Sequence, residues 1–508
     1  MRCKVGRKAI AASRARAYFA DMRILKKILI ALLVILLVAG GVIWWMTRPV
    51  PATISLEETT GTDPTLVEPD EQVFPTVGVA KPIGWGDDGV PTAANGLQVT
   101  RFAQGLEHPR VLYTLPNGDV LVTLSNAPER PLAGGFLTNL VAGFLFSAAG
   151  ADVPSPNKLV LLRDADKDGA AEAQFVLRDD LDSPSGMAWA DGKLYVANHD
   201  EVLAFDFVPG ATSLPGTGTK LMDLPAAGNH WMRNLLLSED GTSLYVAVGS
   251  ASNIAEGGLD AETDRAAILE LDLATGRSRQ WAAGLRNPNG LAWSPWSGEL
   301  WTTVNERDML GSDLVPDYFT NVPLGAQYGW PWIYYGDHWD ERVKYPAPQF
   351  FMQYTREPEY ALGAHVAALG VVFTQTGSRL GAPFDHGAII ARHGSWNRVP
   401  AAGYDVVYVA FDDRGNPVGK PVPVLNSFLA GEGETHGRPT WVAWDQTGAL
   451  LVSDDTGNII WRVVNPAATA SIAHTRNTGT SLPPQRELSG DPARAFDEPP
   501  ADIVPGSI

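Results

Sequence analysis

Cysteine is almost absent: Cys3 is the only one in 508 residues, and it lies ahead of the first apolar run. No disulfide can form within the chain, no thiol serves the main domain, and no Cys-x-x-Cys-His haem site exists. Charge is also sparse, at 19% of residues, which disfavours long solvated surface helices. Basic charge is scarcest beyond residue 48. The first 48 residues hold 10 of the 39 Lys and Arg with Asp21 as their one acid, leaving 29 basic against 56 acidic groups and a net of -27. Such a surface repels phosphate backbones, so nucleic acid is excluded as a partner.

What the chain has in plenty is Gly (51), Pro (38) and Trp (16), a composition of many turns. Its length exceeds that of one compact domain and calls for two domains or one large repetitive fold. Ile28–Met46 carries no charge and is about long enough to span a bilayer core. Lys26, Lys27 and the upstream arginines place the N-terminus in the cytoplasm, and Trp44 and Trp45 suit the outer interface. Val50-Pro51-Ala52 is a poor cleavage site, so a retained single-pass anchor is expected in the inner or plasma membrane, with the rest on the periplasmic or extracellular side. Met22-Arg-Ile-Leu-Lys-Lys also resembles a translation start.

Residues 1–27 are then cytoplasmic, 28–46 the anchor, and 47–95 a Pro-, Thr- and acid-rich linker standing the domain off the membrane; 466–508 read as a flexible tail. Between them one pattern recurs: an apolar stretch, a turn with Gly, then an alternating strand. It appears at Val111–Val122, Gly186–Val196, Leu235–Val246, Gly290–Trp301 and Trp441–Val452, and more weakly at Leu369–Gly377 followed by Gly387–Ala391. Six hairpins at intervals of about 50 to 75 residues, without helices of similar regularity, predict an all-β, six-bladed β-propeller over 96–465. Gly96–Phe102 is placed to supply the strand that closes the ring with the last blade. The apolar excursion Leu132–Gly150 reads as an insertion packed between strands.

Polar groups beside these strands are the candidate chemistry, because a propeller's loops converge on its axis. They lie in Gly228-Asn-His-Trp-Met-Arg-Asn-Leu, in Gly284-Leu-Arg-Asn-Pro-Asn-Gly-Leu, and in Asn305-Glu-Arg-Asp continuing to Gln327-Tyr-Gly-Trp-Pro-Trp. Ala391-Arg-His-Gly-Ser-Trp-Asn-Arg and His436-Gly-Arg-Pro-Thr complete the set. In this order, over about residues 96–465, the motifs resemble the glucose/sorbosone dehydrogenase family, soluble-type quinoproteins with a six-bladed propeller.

The resemblance implies oxidation of a sugar-like alcohol or aldehyde with pyrroloquinoline quinone (PQQ) and calcium, the electrons passing to an external acceptor such as the respiratory chain or a cytochrome. PQQ bears three carboxylates, so an acidic protein needs local guanidinium groups to hold it. Arg286 and Asn287 would meet the quinone and Arg438 a cofactor carboxylate, with Arg392, His393 and Arg398 as further candidates. His230 matches the general base, a task a neutral imidazole suits. His365 is a further candidate for lining the pocket. In the glucose-oxidising relatives an aspartate partners the base. Here the corresponding stretch reads Val248-Gly-Ser-Ala-Ser-Asn-Ile-Ala-Glu, leaving Asn253 or Glu256 to orient it.

Glu306, Asp308 and Asp317 lie in the loop at the family's calcium position, where with backbone carbonyls they would hold an ion that polarises the quinone carbonyl. A second, structural calcium is expected at Asp164, Asp166 and Asp168, an EF-hand-like loop start whose twelfth position is Phe175 instead of Glu. Trp301, Trp330, Trp332, Tyr334, Tyr335 and Trp396 are candidates for stacking on sugar or quinone. A calcium-dependent propeller hydrolase such as a lactonase, and a non-catalytic glycan- or protein-binding propeller, are the rival readings.

Overall fold

The computed structural model describes residues 26–42, 44, 48–72, 75–128, 153–226, 228–374, 378–431 and 433–468. The Leu132–Gly150 excursion, all but the first three residues of the expected 466–508 tail and most of the cytoplasmic segment lie outside them.

Local turn chemistry starts the blades. Asp191 and Gly192, both at positive φ, form the two-residue loop that joins Met187–Ala190 to Lys193–Ala197 in direct register, the backbone a tight hairpin requires. Six antiparallel sheets of four or five strands result. Their innermost strands are Pro109–Thr114, Met187–Ala190, Arg233–Leu237, Pro288–Trp293, Ala368–Phe373 and Pro439–Trp444. Each contacts the next, and the sixth returns to the first, closing a ring. Gln98–Gln104 pairs antiparallel with Ile459–Val464 as the outer strand of blade six, the expected closure that removes a free sheet edge.

The inner strands approach one another backbone to backbone. A Cβ on Gly290 would lie 2.4 Å from the Leu369 carbonyl, and one on Gly186 2.4 Å from the Leu235 amide, so side chains at these two positions are excluded. Around the axis the inner strands enclose a cavity of about 90 Å³ lined by residues such as Val111, Leu236, Val371 and Trp441. Farther out, Trp301, Phe319, Phe373 and Phe411 form an aromatic cluster between blades four and five, with Trp301 and Phe319 centroids 4.8 Å apart. Trp301 is thus packing, and no stacking platform for a ligand.

The expected linker is instead part of the propeller. Residues 48–72 and 75–95 lie along blades four to six and end at the strand that closes the ring. Thr60–Gly61 extends blade four beside Tyr360–Ala364, and Thr92–Ala93 extends blade five. Thr53 donates to Asp313 from its amide and its hydroxyl at 2.5 and 2.8 Å, and Asn397 donates to the Thr76 carbonyl at 2.7 Å. Trp85 is buried, donates to Asp454 at 2.7 Å, and packs against Phe428, His436 and Trp461. These anchors are single residues and backbone pairs, so they leave no hydrophobic period in the sequence.

The anchor expected over Ile28–Met46 is not found as a membrane span. Residues 26–42 are helical with every side chain exposed. No helix among the described residues is long and apolar enough to cross a membrane.

Replacing Trp85 tests whether this strap belongs to the fold. Trp85→Ala removes a buried indole and a carboxylate's hydrogen bond, at an expected cost of about 3 to 5 kcal/mol. Urea denaturation of the full chain reads it, and unchanged stability would return 48–95 to the status of a linker.

Candidate active site

Because successive inner strands run in the same sense around the ring, their starts meet at one mouth. The residues just before or at those starts are Arg110, Arg233, Asn287 and Arg438, with His230 three residues ahead of its strand.

His230 is partly exposed at this mouth. Its Nδ1 lies 2.8 Å from the Ser250 carbonyl and 3.0 Å from Ser250 Oγ. A carbonyl only accepts, and the Ser250 hydroxyl already donates to the Ser252 carbonyl at 2.7 Å. Nδ1 therefore carries the proton, leaving Nε2 as the acceptor. Burial, seconded by the Arg286 cation, pushes the imidazole down to about 3. Asn287 abuts it: a Cβ on Gly249 would sit 2.3 Å from Asn287 Oδ1 and 2.6 Å from His230 Cβ, so that glycine lets the two side chains share the mouth.

Neither residue expected to orient the base does so. Asn253 donates to the Asp308 carbonyl at 3.1 Å and accepts from Arg286 at 2.9 Å, while Glu256 accepts from the Ile254 amide at 2.8 Å. Ser250 has the role, and nothing in the sequence marks a serine for it.

Arg286 is buried and clamped. It donates to the Glu306 carbonyl at 2.5 Å, to Asn253 and to Asp308 at 3.0 Å. Asp308 also faces His365 Nδ1 at 3.4 Å. Burial opposes the Asp308 charge, but Arg286 and then His365 outweigh it and hold the carboxyl below its usual range. His365 is buried and its Nε2 lies 2.9 Å from the Gly311 carbonyl. Asp308 raises it against the pull of burial.

Around the mouth, Asp455 Oδ2 receives Arg110 at 2.5 Å and His393 Nε2 at 2.9 Å. Burial, then the Arg438 cation, lowers His393 to about 4. Arg110 lies over the Trp231 ring and contacts the Met232 sulfur, which ties this cluster to the His230 segment. The Arg438 guanidinium donates to the His393 and Gly394 carbonyls, at 3.1 and 2.9 Å, and lies over Tyr404, while its amide donates to Asp454 at 2.8 Å. Sequence reasoning missed Arg110 and Asp455, although Arg110 stands directly before Val111 in the first hairpin copy.

The remaining expected sites resolve differently. Arg392 is paired with Asp405 through two nitrogens and donates to the Leu362 carbonyl, and Arg398 is paired with Asp313. Both are buried struts of blade five and its loops, their charge paired with carboxylates of the chain. The axial calcium set does not converge. Glu306 binds Arg307, Asp308 binds Arg286, and Asp317 accepts the Glu306 and Ala367 amides at 2.7 and 2.6 Å. Burial raises Asp317 to about 7. The hairpin loop does converge: Asp164, Asp166, Asp168 and also Glu172 place oxygens within 4.8 Å of one another. Trp330 donates to the Asn253 carbonyl, Trp332 to that of Tyr345, and Tyr335 to that of Pro316, while Tyr334 lies under Arg307. Of the six aromatic candidates only Trp396 is exposed, at 41%.

Asp405→Ala is expected to leave Arg392 buried without its carboxylate and to cost about 3 to 5 kcal/mol of stability. Surviving variant should bind cofactor as wild type does. Lost cofactor affinity at unchanged stability would reinstate Arg392 as a ligand.

The profile of the TrAA12-like family matches residues 160–321 and 349–465. An uncharacterised protein of Borreliella burgdorferi is 26% identical over 306 residues, 57% of this chain and 77% of that protein. The aldose sugar dehydrogenase YliI of Escherichia coli is 28% identical over 253 residues, 46% of this chain and 61% of that protein. Among solved structures, a Trichoderma reesei carbohydrate-active enzyme of family AA12 superposes with a TM-score of 0.60 at 19% identity, covering 74% of this chain and 98% of its own. The PQQ domain of pyranose dehydrogenase from Coprinopsis cinerea, in its holo form, gives 0.57 at 20% identity, over 76% of this chain and 100% of its own. At these identities the structural likeness establishes the propeller fold.

Proposed function

The chain belongs to the TrAA12-like family, and on that premise we propose that it is a PQQ-dependent dehydrogenase oxidising a sugar or sugar-like alcohol or aldehyde. The observation that carries the reading is the pairing, at one mouth, of an acceptor imidazole with a cation free for an anionic group. Arg438 has no carboxylate within ion-pair distance among the described residues, in a chain of net charge -18. Arg110 adds a buried Nε without a hydrogen-bond partner. This donor set fits a tricarboxylate: Arg438 would hold a carboxylate, with Asn287 and Arg286 beside the ring system.

PQQ, when bound, supplies the o-quinone that accepts a hydride. The protein supplies the proton chemistry and the orientation. His230 takes the hydroxyl proton at Nε2 while Nδ1 keeps its own on Ser250. Arg286, held rigid by Asp308 and backbone carbonyls, presents fixed positive charge where negative charge grows. Regeneration of the bound quinone would call for an external electron acceptor. Calcium belongs to this reading as a structural ion at Asp164, Asp166, Asp168 and Glu172, whose hairpin already gathers the four carboxylates. The charge-free run behind Lys26 and Lys27 supports export, and we place the propeller on the periplasmic or extracellular side.

Titrating the full-length protein with PQQ and calcium, then adding a panel of sugars while following quinone absorbance, tests the function. Stoichiometric binding and sugar-dependent reduction, lost by at least about 100-fold in His230→Ala, are expected. Absence of PQQ binding sinks the proposal, and calcium-dependent ester hydrolysis in its place would favour the lactonase alternative.

The pH profile gives a second check. Since His230 stays neutral down to about 3 instead of the ordinary 6.5, kcat/KM should run flat through pH 6.5 and fall only toward pH 4. Unfolded His230 takes its proton below 6.5 while the folded state refuses it, so this group lowers stability as pH drops through that window. An acid limb centred near 6.5 would remove His230 as the base.

A further inference from the structure

We propose that Glu262 is a positioning residue for His230, acting through the Ser250–Ser252 turn; the inference rests on the reading of His230 as the base. The turn follows strand Ser243–Val248 and separates His230 from Arg286. Its first residue touches both, for Ser250 donates its amide to the Arg286 carbonyl at 2.8 Å and offers its carbonyl and hydroxyl to His230 Nδ1. Its middle residue, Ala251, accepts the Asn229 amide at 2.7 Å. The orientation of the imidazole is therefore the orientation of this turn.

Glu262 holds the turn from behind. It ends the short helical turn Leu259–Glu262, and its two carboxylate oxygens are spent on two residues of the Ser250–Ser252 turn, Ala251 and Ser252. Oε2 accepts the Ala251 amide and Oε1 the Ser252 hydroxyl, each at 2.7 Å. Charge-assisted hydrogen bonds of this kind are the strong ones. Arg265 ties the same two segments together, donating its amide to the Glu262 carbonyl at 3.1 Å and Nη1 to the Gly249 carbonyl at 3.2 Å. Glu262 touches neither His230 nor the mouth. It acts by fixing where the Ser250 acceptors lie.

The consequence is chemical. An imidazole serves as a base at Nε2 only while its proton stays on Nδ1. In this site that tautomer is enforced by neutral acceptors alone, with no carboxylate on Nδ1. Without Glu262 the Ala251 amide and the Ser252 hydroxyl lose their acceptor, and the Ser252 hydroxyl is released to compete for the neighbouring carbonyls. The Nδ1 partner then shifts, and the tautomer with its proton on Nε2, which cannot accept, becomes populated.

The test uses the full-length chain labelled with 15N-histidine, His230→Gln assigning the His230 resonances. Wild type should show the Nδ1–H tautomer at neutral pH. Glu262→Ala should show a mixture, with kcat reduced about 10- to 100-fold and KM for sugar and PQQ stoichiometry unchanged. Glu262→Gln, which keeps one acceptor oxygen, should fall between. A wild-type tautomer in Glu262→Ala, or kcat within about twofold of wild type, overturns the proposal. If that variant does not fold, Glu262→Gln must still show part of the mixed tautomer, and a wild-type spectrum there overturns it equally. The nitrogen readout needs no turnover. A tautomer shift in a chain that oxidises no sugar would sink the dehydrogenase reading and leave Glu262 as the positioning residue.

Discussion

Closure of the ring is the constraint on which everything else in this molecule depends. Each blade is a small antiparallel sheet with two unpaired edges and two apolar faces, and none is stable alone in water. Pairing Gln98–Gln104 with Ile459–Val464 joins segments some 360 residues apart and obliges the six inner strands to surround one axis. Their starts must then crowd one mouth. Arg110, His230, Arg286 and Arg438 meet there because the ring closes, and the backbone can approach so closely only where residues such as Gly186 and Gly290 carry no side chain.

The same closure decides how arginine is used. A guanidinium drawn into the packed wall must bring compensation with it, and the structure shows three solutions. Arg392 and Arg398 each take a carboxylate, and Arg307 takes two carboxylates and two carbonyls. Arg286 divides its donors between Asp308 and carbonyls at the edge of the mouth. The Arg438 guanidinium donates to two carbonyls and lies over the Tyr404 ring, with no carboxylate in ion-pair distance among the described residues. The electrostatic contrast between Arg392 and Arg438 follows from whether the Asp405 carboxylate or backbone carbonyls receive the guanidinium.

His230 illustrates a second consequence. Its Nδ1 rests on a serine, so burial and the Arg286 cation face no countering carboxylate on that nitrogen. The result is a weakly basic imidazole that stays neutral well below the ordinary 6.5. As the proposed base it would depend on placement more than on proton affinity, which would put the weight of the chemistry on the turn that holds Ser250.

By itself the sequence determined the repeat, the number of blades, the closing strand and the family, and it marked His230, Arg286, Asn287 and Arg438 as candidates that the fold places at one mouth. These are local signals: turn glycines, strand alternation, and polar residues immediately ahead of apolar strands. Only the tertiary structure decided which arginines are struts, that Ser250 and not Asn253 or Glu256 holds the base, and that Glu306, Asp308 and Asp317 go to separate partners. It also decided that residues 48–95 wrap the propeller through Trp85, Thr53 and short added strands. The physical reason is common to all of these. A side chain's role here is set by the group across a blade interface, hundreds of residues away in some cases, and pairing at such separation leaves no period or spacing in the chain that could be read beforehand.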